Sequence, residues 1–115
     1  MSGYSAGVRV EHAVIHDLAA HGWDTIRAAS SKGLADVVAI RAGQLLLVNC
    51  KRTTPPGPSE RAGLLRVAAH LPGVAVPLVA LWPARRPLTY RLVTGPGPRD
   101  WTPWTPAPLD EGGTP

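Results

Sequence analysis

Residues 27–51, RAASSKGLADVVAIRAGQLLLVNCK, decide the fold of this chain. They contain two apolar runs, rich in Val, Ile and Leu, on either side of the short turn Arg41-Ala42-Gly43-Gln44. Apolar runs of this length, bounded by turn residues and joined through a glycine, are typical of paired strands. The stretch therefore predicts an antiparallel hairpin with Gly43 in its turn.

Polar residues stand at the open end of this hairpin. Asp36 precedes the first run, and Asn49, Cys50 and Lys51 end the second. Side chains alternate along a strand, so Asn49 and Lys51 share one face and Cys50 takes the other. Antiparallel pairing brings Asp36 close to Asn49 and Lys51. This convergence indicates a catalytic site; the alternative is that Asp36 is a turn residue and Lys51 a solvated strand end.

Composition limits the class of protein. A chain of 115 residues predicts one domain. A single cysteine cannot form an internal disulfide, and no Cys/His cluster suggests zinc. No apolar run approaches the roughly 20 residues of a membrane span, and no signal peptide is recognisable. These features favour a cytoplasmic protein without membrane contact.

The charge is unevenly distributed along the chain. Residues 1–93 hold 11 Lys and Arg against 5 Asp and Glu, a net of +6, whereas residues 94–115 hold one Arg and three acids, a net of −2. A basic domain of this size suits a polyanionic partner such as nucleic acid. An arginine-rich but otherwise ordinary soluble surface is the alternative.

The remaining pattern predicts an α/β protein with the order αβββαββ around a mixed sheet. Apolar spacing predicts a helix over residues 1–22, stopped by Gly22. A strand at residues 23–28 and the hairpin follow, and then a stiff turn at residues 52–58. Ser59 is expected to cap a second helix to about residue 71, with Glu60 in its first turn. Strands at residues 74–82 and 88–93 complete a domain spanning residues 1–93.

Three polar features of the first half have two interpretations each. Glu11 flanks the apolar stripe of the first helix, as a solvated acid or as a group aimed at a site below it. His12 and His16 are four residues apart and could hold a metal, but no third ligand is visible and exposed histidines are favoured. The loop with Ser30, Ser31 and Lys32 could bind phosphate or be a plain connection.

Residues 94–115 form a tail rich in Pro, Gly and Trp. This composition predicts no regular element and a partly polyproline II course. Trp101 and Trp104 stand three residues apart, one polyproline II turn, so both rings are expected to face the same way. They could pack the tail onto the domain, pack in a dimer or stack on bases, and packing onto the domain is favoured.

The ordered set of these residues resembles the PD-(D/E)XK nuclease superfamily and, more narrowly, the Holliday-junction resolvases of archaea and their phage-borne relatives. The resemblance covers about residues 5–93. It rests on Glu11 in the first helix, Gly22-Trp23 after it, Arg27 before a Ser-Lys-Gly loop, Asp36-Val37-Val38-Ala39, and a strand ending in Cys50-Lys51. It implies a restriction-endonuclease-like mixed sheet flanked by helices.

The resemblance also implies roles for individual residues. Glu11 and Asp36 would hold a divalent metal together with Asn49 and the backbone carbonyl of Cys50. Lys51 would orient or activate water, with a contribution from Ser30 or Ser31. Asn49 departs from the family, which usually has Glu or sometimes Gln there, and an amide oxygen brings no charge to Mg²⁺.

The expected function is a structure-selective DNA endonuclease that depends on Mg²⁺, with Mn²⁺ as a possible substitute, and acts on branched DNA as a homodimer. Candidate phosphate contacts are Arg9, Arg27, Lys32, Arg52, Arg61, Arg85 and Arg86. One alternative is a nicking or restriction-like nuclease of plain duplex. A second is a catalytically degenerate DNA-binding module, which Asn49 favours, and a third is a protein-interaction module that uses the Trp/Pro tail.

Overall fold

A computed structural model describes residues 2–28 and 35–108, with side chains from residue 8 onward. The elements are α1 (Ser2–Ala20), β1 (Asp24–Arg27), β2 (Val37–Arg41), β3 (Gln44–Lys51), α2 (Pro58–Ala68), β4 (Ala75–Leu81), β5 (Thr89–Val93) and β6 (Trp101–Trp104). The strands lie side by side in chain order in one six-stranded sheet. Strands β3 and β4 run parallel, joined through α2, and the other neighbours are antiparallel. The predicted mixed α/β sheet with flanking helices is confirmed.

Strands β2 and β3 form the predicted antiparallel hairpin. Its register pairs Val37 with Val48 and closes at Arg41 and Gln44. The two turn residues, Ala42 and Gly43, have positive φ angles of 48° and 81°. Two consecutive positive φ angles are the signature of a tight hairpin turn whose twist matches that of the strands, and glycine adopts them at no steric cost.

The two helices cover opposite faces of the sheet. On one face, α1 buries an apolar stripe against inward-facing strand residues (Val10, Val14, Leu18, Trp23, Val37, Ala39, Leu46, Val48, Cys50, Leu78, Ala80 and Tyr90). On the other face, α2 packs on a smaller group (Ala35, Leu47, Leu64, Ala68, Val79, Leu81 and Val93). The hairpin strand β3 contributes to both groups, which is why its sequence is apolar almost throughout.

The expected cap of the second helix is wrong. The N-cap is Gly57, and Pro58 is the first helical residue, so Ser59 lies inside the helix. Proline is favoured at the first helical position because it has a suitable φ angle and needs no N–H partner there. Glu60 lies in the first turn as predicted, and its Oε1 accepts a hydrogen bond of 3.1 Å from the backbone N–H of Gly57.

The expectation that no regular element follows residue 94 is also wrong, because β6 pairs antiparallel with β5 at the edge of the sheet. An edge strand tolerates Pro103, since an outward-facing position needs no N–H. The connecting turn is closed by Asp100, whose carboxylate accepts a hydrogen bond of 2.9 Å from the N–H of Gly97. The order is therefore αβββαβββ, and the sheet continues beyond residue 93.

The two tryptophans of β6 face opposite sides of the sheet, so the prediction that both rings face one way is wrong. Trp104 packs edge-on against Tyr90, with 5.4 Å between ring centroids, and joins the apolar group below α1. The guanidinium of Arg91 lies over the ring of Trp101, with 4.0 Å between Cζ of Arg91 and the ring centroid. The predicted packing of these rings onto the domain is confirmed, and strand geometry explains their opposite directions. Neither described helix is long and apolar enough to cross a membrane.

Candidate active site

The open end of the hairpin gathers the polar residues that the sequence places there. Asp36 immediately precedes β2, whose register with β3 begins at the pair Val37–Val48. The N–H of Asp36 donates a hydrogen bond of 2.8 Å to the carbonyl of Val48. Its Oδ2 accepts one of 2.7 Å from the N–H of Cys50. The predicted meeting of Asp36 with the end of β3 is what the structure shows.

The surroundings of Asp36 disfavour its negative charge. Burial is the largest cause and raises the pKa of this carboxyl, and the charges of Glu11 and Glu60 raise it further. The hydrogen bond from Cys50 and the ammonium of Lys51 oppose this shift without cancelling it. A carboxyl in such surroundings is stabilised either by binding a proton or by a bound cation.

Asn49 is the buried polar group of this site. It is 4% exposed, and its Oδ1 accepts no hydrogen bond from any described residue. Leaving a buried acceptor unsatisfied costs about 1–3 kcal/mol, so folded proteins rarely keep one without a reason. An oxygen in this condition, one residue along β3 from the Cys50 N–H that binds Asp36, is a ready donor for a cation.

Lys51 points to the same face as Asn49 and meets α2. Its Nζ donates a hydrogen bond of 2.9 Å to Oε2 of Glu60 in an ion pair. Partial burial alone would raise the pKa of Glu60, but the hydrogen bonds from Lys51 and Gly57 and the charge of Lys51 outweigh it, so the pKa is lowered. The sequence placed Glu60 at the start of a helix without assigning it to the site. The sequence signal that could have assigned it to the site is an acid in the first turn of the helix that follows the strand ending in Lys51.

Glu11 is directed at the sheet. Its side chain is 14% exposed and forms an ion pair of 2.6 Å with Nε of Arg27. Arg27 ends β1 opposite Val37, one residue from Asp36, and the N–H of Ala28 donates to the carbonyl of Asp36 at 2.8 Å. Glu11 therefore lies against β1, and its role in a site stays a prediction.

The donor atoms at this end of the hairpin suit a hard divalent cation. Asp36 and Glu11 offer carboxylates and Asn49 an unpartnered amide oxygen. The N–H and C=O of a strand residue point to the same side of the strand, so the carbonyl of Cys50 lies on the side of Asp36. Mg²⁺ prefers such oxygen ligands. Within residues 2–28 and 35–108, no three His, Cys, Asp or Glu side chains are grouped as a metal site, so an Mg²⁺ site here depends on the amide and backbone oxygens.

The thiol of Cys50 plays a separate role. Its side chain belongs to the apolar group below α1. Burial is the main cause that raises its pKa well above the usual range, with the charges of Asp36 and Glu11 adding to it. A thiol that stays protonated is a poor nucleophile and metal ligand, so only the backbone of Cys50 faces the site.

Several predicted phosphate contacts lie at the same end of the sheet as Lys51. Arg52 follows β3, and its guanidinium lies 5.7 Å from the ring centroid of Trp82. Arg85 and Arg86 are exposed in the turn after β4. Because β3 and β4 are parallel and Lys51 pairs with Leu81, their carboxyl ends lie at one edge of the sheet, and these arginines follow those ends.

The remaining predicted residues are placed differently. Arg9 is exposed on α1, as are His12 and His16. Arg61 is tied to the protein by hydrogen bonds of 2.7 Å to the carbonyl of Pro56 and 2.9 Å to that of Pro96, which fasten the β5–β6 connection to α2. The predicted loop residues lie outside the described part of the chain (Ser30, Ser31 and Lys32).

Comparison with known proteins agrees with this arrangement. Residues 2–56 match the family model of the archaeal Holliday junction resolvase (Hjc). The fold matches the structure of Archaeoglobus fulgidus Hjc, a Holliday junction resolvase from an archaeal hyperthermophile. The TM-score is 0.58 at 23% sequence identity, over 73% of this chain and 70% of that one. No curated protein matches the chain significantly. In sequence over its first half and in fold, the chain resembles the archaeal Holliday junction resolvases.

Proposed function

We propose that this protein is a Holliday junction resolving nuclease, a divalent-metal-dependent endonuclease that nicks two opposed strands of a four-way DNA junction. The family match spans α1, the hairpin and the end of β3, which are the elements that carry the candidate site. The observation that carries the proposal is the buried, unpartnered Oδ1 of Asn49, one residue along β3 from the Cys50 N–H that binds the carboxyl of Asp36. A buried polar group left unsatisfied beside an acid with a raised pKa is typical of functional sites, which supports the proposal.

The residues that would hold Mg²⁺, or Mn²⁺ in its place, are Asp36, Asn49, Glu11 and the carbonyl of Cys50. When bound, the ion would supply a Lewis acid that stabilises charge on the phosphate and lowers the pKa of water. Lys51 places an ammonium beside Asp36, where it stabilises negative charge on a bound phosphate.

The arginines at the carboxyl ends of β3 and β4 extend this site into a DNA-binding face. Arg52, Arg85 and Arg86 would contact phosphates on one side of Lys51, and Arg27 would do so on the other. Phosphate contacts position the junction without reading its sequence. A protein with this substrate would work in the cytoplasm.

A homodimer is part of the proposal. On the α2 face, an apolar patch is left exposed at the β1 edge: Ile26 is 56% and Ile40 45% exposed. It continues across the cross-strand partners of these residues toward exposed Leu71 and Val74. A two-fold pair built on this patch would carry two equal sites, as two opposed nicks require. Sedimentation of Ile26→Lys would test it, since a charge there is expected to convert a dimer into a monomer.

The decisive experiment for the function is cleavage of a synthetic four-way junction beside a linear duplex of the same sequence, in Mg²⁺, in Mn²⁺ and in EDTA. We expect paired symmetric nicks in the junction with either metal and none in EDTA. Equal cutting of the linear duplex would support a nicking or restriction-like nuclease. Tight junction binding without cutting in either metal would support a degenerate binding module, the second candidate, which the uncharged Asn49 favours.

A further inference from the structure

The resolvase pattern has an acid two residues before the lysine, and this chain has the uncharged Asn49 there. Glu60, in the first turn of α2, lies against Lys51 instead, with 2.9 Å between Oε2 and Nζ. The segment from Arg52 to Gly57 is short and stiffened by Pro55 and Pro56, so α2 begins beside the end of β3.

We propose that Glu60 replaces the missing acid, as a positioning residue that holds Lys51 and restores the negative charge that Asn49 lacks. The inference rests on the proposed function and names a further residue of that site. It concerns the second helix, which lies outside the matched residues 2–56.

The carboxylate of Glu60 is fixed on both oxygens. Its Oε1 accepts a hydrogen bond of 3.1 Å from the N–H of Gly57, and its Oε2 binds Lys51. Lys51 and Asn49 are two residues apart on β3 and face α2 together. The buried and unpartnered Oδ1 of Asn49 therefore lies on the face from which Glu60 approaches.

Charge balance explains why the site needs this residue. Asp36, Asn49 and Lys51 sum to zero, and Glu11 is neutralised by Arg27 in an ion pair. A neutral site has little attraction for a divalent cation. Glu60 engages the charge of Lys51, which leaves one net negative charge in the group formed by Asp36, Asn49, Lys51 and Glu60. Its effect reaches Asp36, because the charge of Glu60 is one of those that raise the pKa of that carboxyl.

Glu60→Gln is a clean test, since glutamine keeps the size of the side chain and can still accept the hydrogen bond from Gly57 at this helix position. The substitution removes the charge and also the hydrogen bond to Lys51, because the amide nitrogen in place of Oε2 cannot accept from Nζ. We expect Mg²⁺ affinity, measured by calorimetry on the full chain without DNA, to fall about tenfold, as loss of one nearby charge predicts. Junction cleavage is expected to fall at least as much, while circular dichroism and the melting temperature stay close to the wild type.

Restoring the acid at its family position gives the second arm. In Asn49→Glu/Glu60→Gln, the charge returns two residues before Lys51, and both Mg²⁺ affinity and cleavage should recover to within a few-fold of the wild type. Asp24→Asn is the matched control, because it removes an exposed acid at the other end of β1. It is expected to leave both measurements unchanged.

The outcomes separate the two proposals. A wild type that binds Mg²⁺ and cuts junctions, with a Glu60→Gln variant that does so equally well, would overturn the role of Glu60 alone. The role of Glu60 would also be overturned if Glu60→Gln lowered Mg²⁺ affinity and cleavage but adding Asn49→Glu did not restore them. The same holds if the wild type did not cut junctions and Asn49→Glu alone made it cut. A wild type and an Asn49→Glu variant that both fail to bind metal and to cut would overturn the proposed function itself.

Discussion

The two ends of the β2–β3 hairpin differ in whether their local structure is energetically favourable. At the turn, Ala42 and Gly43 have the positive φ angles of a tight hairpin turn and lie in solvent. At the open end, a carboxyl with a raised pKa binds the N–H of Cys50, beside a buried amide whose oxygen has no described partner. The same two strands thus connect a locally favourable turn to a locally costly cluster.

This difference separates residues that stabilise the fold from residues that would serve ligand binding. The turn end contributes to the fold through backbone geometry alone, and any sequence with the right turn residues would serve. The open end lowers the stability of the fold through Asp36 and Asn49, and it gains only if a ligand binds there. Substitutions at the open end should therefore lower activity and raise the stability of the fold, whereas those at the turn should change stability alone.

The largest expected effect is that of Asp36→Asn on cleavage. Asparagine can still accept the hydrogen bond from Cys50, but it removes the carboxylate from the proposed metal site. We expect junction cleavage to fall on the order of a thousandfold, with junction binding in a gel-shift assay little changed. Equal loss of binding and cleavage in folded protein would contradict a catalytic role for this residue.

The same variant should be more stable than the wild type at neutral pH in EDTA. Because burial raises the pKa of Asp36, its ionised form opposes folding above the folded-state pKa. This penalty is relieved as the pH falls through that pKa toward the ordinary value of 3.8. The melting temperature of Asp36→Asn should exceed that of the wild type at pH 7, and the two should converge in acid. A lower melting temperature at pH 7 would show that the carboxylate stabilises the fold.

Asn49→Leu is the next largest change. It replaces a buried amide, whose Oδ1 has no described partner, with an apolar group of similar size. The free energy of unfolding should rise by about 1–3 kcal/mol, measured by urea denaturation. Mg²⁺ affinity should fall, because a metal donor is lost. A destabilised Asn49→Leu variant would mean that the amide makes a stabilising contact in the native state, and Asn49→Asp is the control that keeps an oxygen donor.

The sequence alone predicted both ends of the hairpin because both are local. The turn follows from Ala42-Gly43 between two apolar runs, and the faces of Asn49 and Lys51 follow from strand alternation. The resemblance to the resolvases, confirmed by the family match and the fold, follows from the ordered set of Glu11, Arg27, Asp36 and Lys51 along the chain.

Contacts between distant segments were beyond that reasoning. Strand β6 forms because β5 offers an unpaired edge, and its Pro-rich composition predicted no strand. The Lys51–Glu60 pair depends on where α2 begins. The sequence predicted Ser59 as the cap of this helix, but the N-cap is Gly57, because Pro58 takes the first helical position. Of the proposed site, Glu11 and the residues on the hairpin could be named from the sequence, and Glu60 of α2 could not.

The smallest expected effect lies at the turn. Ala42 has a φ angle of 48°, which asparagine adopts more readily than alanine, and Asn-Gly is a preferred pair in two-residue hairpin turns. Ala42→Asn should raise the free energy of unfolding by about 0.5–1 kcal/mol, and the control Ala42→Val should lower it, because a β-branched side chain is strained at positive φ. Junction cleavage should stay at the wild-type rate in both. A change in cleavage that follows the change in stability would show that the two ends are coupled through β2 and β3, and the hairpin would then transmit strain from its turn to its site.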